Sequence, residues 1–142
     1  MKTLSEAALA ATRALIDEDD FALVTAVESL AGKGVGFTPA GDDWLLGCIV
    51  ALQSLRHPVK AARIAEAALP HTTPFSAASL KMAGKRKFAQ PWHDLIKAGS
   101  SAQIHAAMLR LREYGHSSGA DALTGFIQVL EALSPTPDRL ST

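Results

Sequence analysis

Two short segments of the chain place carboxylates beside glycines and hydroxyls at the start of an apolar helix. The first reads GKGVGFTPAGDDWLLG over residues 32–47, and the second reads YGHSSGADALTG over residues 114–125. Free backbone N–H groups and the helix dipole make a helix N-terminus favourable for an anion. A carboxylate repels an anion, so Asp43 and Asp121 suit a phosphate-like ligand if Mg²⁺ lies between them. Alternatively, they accept protons or amide N–H groups from the ligand.

The two segments are related by an internal repeat. PAGDDWLLGCIVAL (39–52) and SSGADALTGFIQVL (117–130) share the pattern G-x-D-x-L-x-G-x-I-x-x-L, which pairs Asp43 with Asp121 and Gly47 with Gly125. A glycine inside a helix costs about 1 kcal/mol relative to alanine, so a close approach of two backbones is the natural compensation. The repeat therefore predicts that the two helices cross at Gly47 and Gly125, with their preceding loops adjacent.

Helix capping is the alternative interpretation of the same residues. Aspartate and serine are ordinary N-terminal caps, and for either segment alone capping is the simpler explanation. Two matching segments, each with more glycine and hydroxyl than capping requires, favour a binding site. His116 lies within the second segment, where its imidazole could donate a proton or could simply be a partly exposed turn residue.

Other site chemistries have less support in the sequence. The glycines lack the Gly-Lys-Ser/Thr of a P-loop and do not follow a predicted strand, as a dinucleotide fold requires. Cys48 lies in an apolar run and is expected to be inert core. The remaining histidines show no metal-ligand spacing and are interpreted as surface or helix-end residues: His57, His71, His93 and His105.

The elements that must hold these residues are helical. Alanine and leucine dominate, and apolar residues recur at helical spacing, which predicts a single all-α domain of seven or eight helices over residues 1–133. The proline-containing segment 134–142 is predicted to be a flexible tail. Helix starts are expected near Leu4, Asp20, Asp42, Pro58, Thr72, Pro91, Ser100 and Gly119.

Charge and composition limit the possible partners. The 14 basic residues equal the 14 acidic ones, so no field favours nucleic acid or an anionic membrane. The longest apolar run is shorter than a membrane span, and a single cysteine excludes an internal disulfide. A cytoplasmic location is expected.

Three motifs of this chain resemble the signatures of a bacterial protein family. GKGVGFTPAGDD, TTPFSAASLKMAG and GHSSGAD are similar to motifs in the family of the third subunit of the oxamate carbamoyltransferase of anaerobic allantoin degradation. The first family signature is close to G-x-G-P-G-L-T-P-S-G-D-D-F-L-x-G, from which Val35, Phe37, Ala40 and Trp44 depart. The resemblance extends from about Leu30 to Leu133 and corresponds to the C-terminal half of family members.

The resemblance implies a role in carbamoyl transfer between carbamoyl phosphate and oxamate or a similar small carboxylate, within a multi-subunit complex. A small-anion binding module without turnover and a helical assembly domain remain alternatives. The catalytic candidates are Asp43, Asp121 and His116, with Asp43 and Asp121 also candidate Mg²⁺ ligands. The expected ligand-binding residues are Gly34, Gly36, Thr38, Gly41, Asp42, Thr73, Ser76, Ser117, Ser118 and Gly119.

Overall fold

The chain folds into a helical domain. The computed structural model describes residues 3–34, 39–113 and 118–133, and these contain eight α-helices and no strand. The all-α prediction is therefore confirmed. The helices are α1 (Leu4–Asp17), α2 (Asp20–Leu30), α3 (Ala40–Ser54), α4 (Pro58–Ala68), α5 (Pro74–Gly84), α6 (Gln90–Lys97), α7 (Ser101–Arg112) and α8 (Ser118–Leu133), with a 3₁₀ turn at Leu69–His71.

Side-chain caps explain where several helices begin. The Asp19 carboxylate accepts a hydrogen bond from the Ala22 N–H at 3.0 Å, and the Ser100 hydroxyl accepts one from the Gln103 N–H at 3.2 Å. Proline occupies the first turn of α4, where its missing N–H has no intrahelical role. Each cap satisfies a backbone donor that the helix itself leaves unpaired.

Helix α3 lies at the centre of the domain. Almost every residue from Gly41 to Gln53 is buried, with Leu46 as the half-buried exception. A helix that is apolar on all sides is expected to be enclosed by other elements. Helices α2, α4, α5 and α8 pack around it. The run that looked longest and most apolar in the sequence is therefore the core of the fold. None of the helices described is both long and apolar enough to cross a membrane.

Helices α3 and α8 cross at the two predicted glycines. A Cβ atom built on Gly47 would lie 2.7 Å from the Ala122 carbonyl carbon, and one on Gly125 would lie 3.0 Å from the Trp44 carbonyl carbon. The carbonyl oxygens of Ala122 and Trp44 would lie closer still, so neither position has room for a side chain. The contact is reciprocal, because each glycine faces the residue that precedes its counterpart by three positions. This confirms the crossing predicted from the repeat.

The residues at the crossing flank each glycine on both sides. Trp44 and Cys48 of α3 contact Gly125, and Ala122 and Phe126 of α8 contact Gly47. The two glycines therefore mark the point where the backbones of α3 and α8 approach most closely.

Candidate functional site

Asp42 connects three separate segments at the start of α3. Its side chain is buried, with 2% relative exposure. One carboxylate oxygen accepts a hydrogen bond from the Gly32 N–H at 2.9 Å, and the other accepts a short one from the Thr72 hydroxyl. Neither bond caps helix α3, so the capping interpretation is wrong for Asp42. This carboxylate holds the segment after α2 and the segment before α5 against the first turn of α3.

Glycines allow these segments to approach one another closely. A Cβ on Gly41 would lie 3.0 Å from the Leu30 carbonyl carbon, and the Gly41 N–H donates to the Lys33 carbonyl at 3.0 Å. Gly34 has a φ of 115°, which side-chain-bearing residues rarely adopt, and a Cβ there would lie 2.7 Å from the Ala40 nitrogen. Gly34 and Gly41 are thus required by backbone geometry, whatever they contribute to binding.

Further polar side chains of the three motifs lie at or near the starts of α3, α5 and α8. Asp43 is 6% exposed, Ser76 is 2% exposed and Ser118 is half-buried, whereas Thr73 is exposed. The Thr73 hydroxyl accepts from the Ser76 N–H at 3.2 Å and so caps α5. Each of these four residues takes part in interactions beyond this cap bond. Two of the polar side chains, Asp43 and Ser76, are therefore removed from water near helix starts, where burial requires polar partners.

Asp121 has different surroundings from Asp43. It is half-buried and lines a cleft of about 720 Å³, together with Ala40, Gly41 and Trp44 from the start of α3. Asp43 is buried and is not among the residues that line this cleft. The repeat therefore places equivalent carboxylates in non-equivalent surroundings.

Two helix N-termini meet at the Asp42 junction. The contact between Asp42 and Thr72 brings the start of α5 to the start of α3. Each of these starts belongs to one of the sequence motifs, and the third motif lies at the start of α8. The unpaired N–H groups and dipoles at the starts of α3 and α5 favour negative charge in the space between them.

Several predicted site residues lie outside the described part of the chain. They are Gly36, Thr38, His116 and Ser117, so the predicted adjacency of the two loops and the role of His116 stay predictions. The predicted tail, residues 134–142, also lies outside it. Gly119 is described and buried, and a Cβ there would lie 2.7 Å from the Leu111 carbonyl carbon, so it packs against the end of α7.

The described residues do not form a recognisable metal centre. Within residues 3–34, 39–113 and 118–133, no group of three or more His, Cys, Asp and Glu side chains is arranged to hold a metal ion. Asp43 and Asp121 also face different surroundings. Mg²⁺ binding by Asp43 and Asp121 therefore stays a prediction.

The remaining titratable candidates behave largely as the sequence indicates. Cys48 is buried, its thiol lies 3.8 Å from the Gly125 carbonyl oxygen, and burial raises its pKa well above the usual value. His57 and His105 are exposed, and His71 forms an exposed pair with Glu28 at 3.2 Å. His93 is half-buried and stacks on Phe88 at a centroid distance of 4.3 Å. Of these five residues, only His71 borders the Asp42 junction, because its backbone carbonyl packs against Gly32.

Thr72 is the site residue that the sequence analysis did not identify. It stands beside Thr73 in the second motif, but nothing in the spacing shows that its hydroxyl reaches Asp42, thirty residues earlier. The sequence contained one indication of this role. Two threonines precede Pro74, whereas one hydroxyl is enough to cap a helix.

The fold and its motifs define a class of helical protein with a polar junction at helix N-termini. A family model described as oxamate carbamoyltransferase subunit AllH matches residues 30–130 of this chain. This match covers most of the 142 residues and includes all three motifs, so the chain belongs to that family. No curated protein and no solved structure matches the chain significantly.

Proposed function

We propose that this chain contributes a small-anion site to a carbamoyltransferase that acts on carbamoyl phosphate and oxamate, or a similar small carboxylate. The observation that carries the proposal is the meeting of the α3 and α5 N-termini at the buried Asp42 carboxylate. Both substrates are small anions that bear an amide-like group. Membership of a family named for a carbamoyltransferase subunit gives the reaction class and implies other subunits.

Carbamoyl transfer requires such a site to bind anionic groups and to accept a proton. The attacking amide nitrogen forms a bond to the carbamoyl carbon, the bond from that carbon to the phosphate oxygen breaks, and the nitrogen loses a proton. Helix N-termini are suited to binding the phosphate and carboxylate groups, because their backbone N–H groups donate hydrogen bonds from fixed positions. A carboxylate is suited to accept the amide N–H or its proton, and Asp43 is the buried candidate beside these N-termini.

Ligand-induced stabilisation tests the site directly. Carbamoyl phosphate, oxamate and inorganic phosphate should each raise the melting temperature of the chain, since a ligand that binds only the native state stabilises it by about 2.7 kcal/mol at a hundredfold excess over Kd. Acetamide, which is uncharged, is the matched control and should produce no shift. A chain that melts identically with all four compounds would leave the assembly-module alternative as the better interpretation.

Turnover separates a catalytic subunit from a binding module. The chain should support carbamoyl transfer when it is mixed with the other subunits of the enzyme, and Asp43→Asn should lower that rate without changing the far-UV circular dichroism spectrum. A binding response together with wild-type turnover in the Asp43→Asn variant would point to a non-catalytic anion module.

A further inference from the structure

Helix α5 presents an apolar stripe to solvent. Phe75 is 64% exposed and Met82 is 43% exposed, and their spacing of seven residues places them on one face of the helix. Ala78 and Ser79 lie between them on this face and are also exposed. The residues that α5 buries against the domain lie on its other side: Ser76, Leu80 and Ala83. The α5 stripe, Phe75 to Met82, is therefore an apolar surface that the described part of the chain leaves open.

Basic side chains border the α5 stripe. Lys81 and Lys85 lie one turn apart along the same edge of the stripe, Lys87 follows in the next turn, and all three are exposed. None of the salt bridges between described residues involves these lysines. Helices α3 and α4 pack against α5, and across residues 40–93 the acidic residues are Asp42, Asp43 and Glu66, of which only Glu66 is exposed. The exposed face of α5 thus has an excess of positive charge.

The turn that carries two of these lysines is fixed to the end of α3. The Gln53 side-chain amide donates to two carbonyls at the end of α5, at 3.3 and 2.9 Å. The Arg86 guanidinium donates in return to the Gln53 carbonyl at 2.9 Å, and the Lys87 N–H donates to the Met82 carbonyl at 2.9 Å. A surface whose backbone is already ordered loses little conformational freedom when a partner binds.

The opposite end of α5 lies at the Asp42 junction. Thr72, just before α5, bonds to Asp42 at the start of α3, whereas the end of α5 bonds to Gln53 at the end of α3. The exposed face therefore extends from the edge of the proposed anion site to the basic turn. Its length from Phe75 to Lys85 is about 15 Å at 1.5 Å per residue.

We infer that the exposed face of α5 is the docking surface for an acidic segment of another subunit of the carbamoyltransferase. The inference rests on the proposed function, in which the chain acts as one subunit of that enzyme. Apolar side chains of the segment cover Phe75 and Met82, and its carboxylates lie beside Lys81, Lys85 and Lys87.

Charge complementarity and the apolar stripe together favour this partner. Lysines without acidic neighbours attract a surface of the opposite charge. A nucleic-acid duplex would pair its phosphates with the lysines but would leave Phe75 and Met82 in water. An acidic protein segment satisfies both features, because it brings carboxylates and apolar side chains to the same face.

A pair of lysine variants tests the charge, with affinity for the other subunits of the enzyme as the measurement. Lys81 and Lys97 are matched, because each is an exposed lysine in the last turn of its helix and neither forms a salt bridge with a described residue. We expect Lys81→Glu to weaken the complex at least tenfold at low salt, with a smaller loss at high salt, and Lys97→Glu to leave it unchanged. Equal effects of the two changes would overturn the inference.

A pair of phenylalanine variants tests the apolar stripe. Phe75 and Phe21 each occupy the second position of a helix, and they are 64% and 84% exposed. We expect Phe75→Ser to weaken the complex at least tenfold and Phe21→Ser to leave it unchanged. Met82→Ser should repeat the loss two turns away from the Asp42 junction, so an effect confined to Phe75→Ser would indicate a local change at the junction and contradict docking on the stripe.

Other occupants of this face are distinguished by direct binding measurements. The inference is wrong if the chain binds duplex DNA, or vesicles of phosphatidylglycerol and phosphatidylcholine, in a manner that Lys81→Glu abolishes while affinity for the other subunits is unchanged. It is also wrong if the chain alone sediments as a dimer that Phe75→Ser dissociates, because a second copy then covers the stripe.

The ligand response separates this inference from the proposed anion site. Lys81 lies eight residues beyond the Thr73 cap, about 12 Å along α5, so Lys81→Glu should keep the wild-type melting response to carbamoyl phosphate. A ligand response together with assembly that ignores Lys81→Glu would refute the docking surface alone. Assembly that depends on Lys81 without any ligand response would refute the anion site and leave the docking surface standing.

Discussion

Replacing Gly47 by alanine is the sharpest test of the helix crossing. The added Cβ would lie 2.7 Å from the Ala122 carbonyl carbon and 2.8 Å from the Phe126 nitrogen. Comfortable contacts between such atoms are about 3.5–4.0 Å, and the Ala122 carbonyl oxygen would lie closer still than these two atoms, so the helices must separate by more than about 1 Å. The obstructing atoms are backbone, and no side-chain rotation can relieve the overlap.

The expected cost follows from two opposing effects. Overpacking costs about 1–3 kcal/mol, and the upper end applies because whole helices must move. Alanine recovers about 1 kcal/mol of helix propensity. We therefore expect a net loss of about 2 kcal/mol in the free energy of unfolding. The melting temperature should fall by about 6–8 °C. Leucine at the same position should be more destabilising still.

Urea denaturation followed by circular dichroism at 222 nm measures the effect. Gly125→Ala should behave like Gly47→Ala, because its Cβ would meet the Trp44 backbone. Gly99→Ala is the matched control, since a Cβ there would meet only the Gln103 side-chain oxygen, at 3.7 Å, and it should be neutral or slightly stabilising. If both crossing variants were as stable as the control, the two glycines would not be contact points.

Three further predictions concern individual polar groups. Asp42→Ala should lower the free energy of unfolding by about 3 kcal/mol, and Thr72→Val should lower it by less. The first change removes two hydrogen bonds to a buried carboxylate, and the second removes one. Equal losses in urea denaturation would contradict the shared junction. Asp43→Asn should abolish the melting response to carbamoyl phosphate or oxamate, measured with and without Mg²⁺, while leaving the fold intact. A full response in this variant would reduce the Asp43 carboxylate to a helix cap. Burial raises the pKa of the Cys48 thiol, so the thiol stays neutral in the folded state and ionises in the unfolded state above about pH 8.5. The free energy of unfolding should therefore fall as pH rises through that value. Cys48→Ala should lose this part of the alkaline dependence, and an unchanged pH profile in the variant would contradict the prediction.

The helices themselves could be predicted from local sequence. Apolar spacing, the Asp19 and Ser100 caps and the proline at position 58 each act over a few residues, and the structure confirms all eight helices within a few residues of the predicted starts. The crossing of α3 and α8 was also predictable, because a glycine inside an apolar helix is costly unless two backbones meet there. These features depend on the residue types and their spacing alone.

The surroundings of the site residues required the tertiary structure. The repeat makes Asp43 and Asp121 equivalent in sequence, but Asp121 lines a cleft that α1 borders, whereas Asp43 is buried. Asp42 looked like a capping residue, but its carboxylate bonds to Gly32 and Thr72, which lie ten residues before it and thirty after it. Such partners are set by how distant segments pack, and no local pattern encodes them. The sequence by itself determined the helices and their crossing point. Packing around α3 decided that Asp43 is buried, that Asp42 bonds to two distant segments and that Asp121 lines an open cleft.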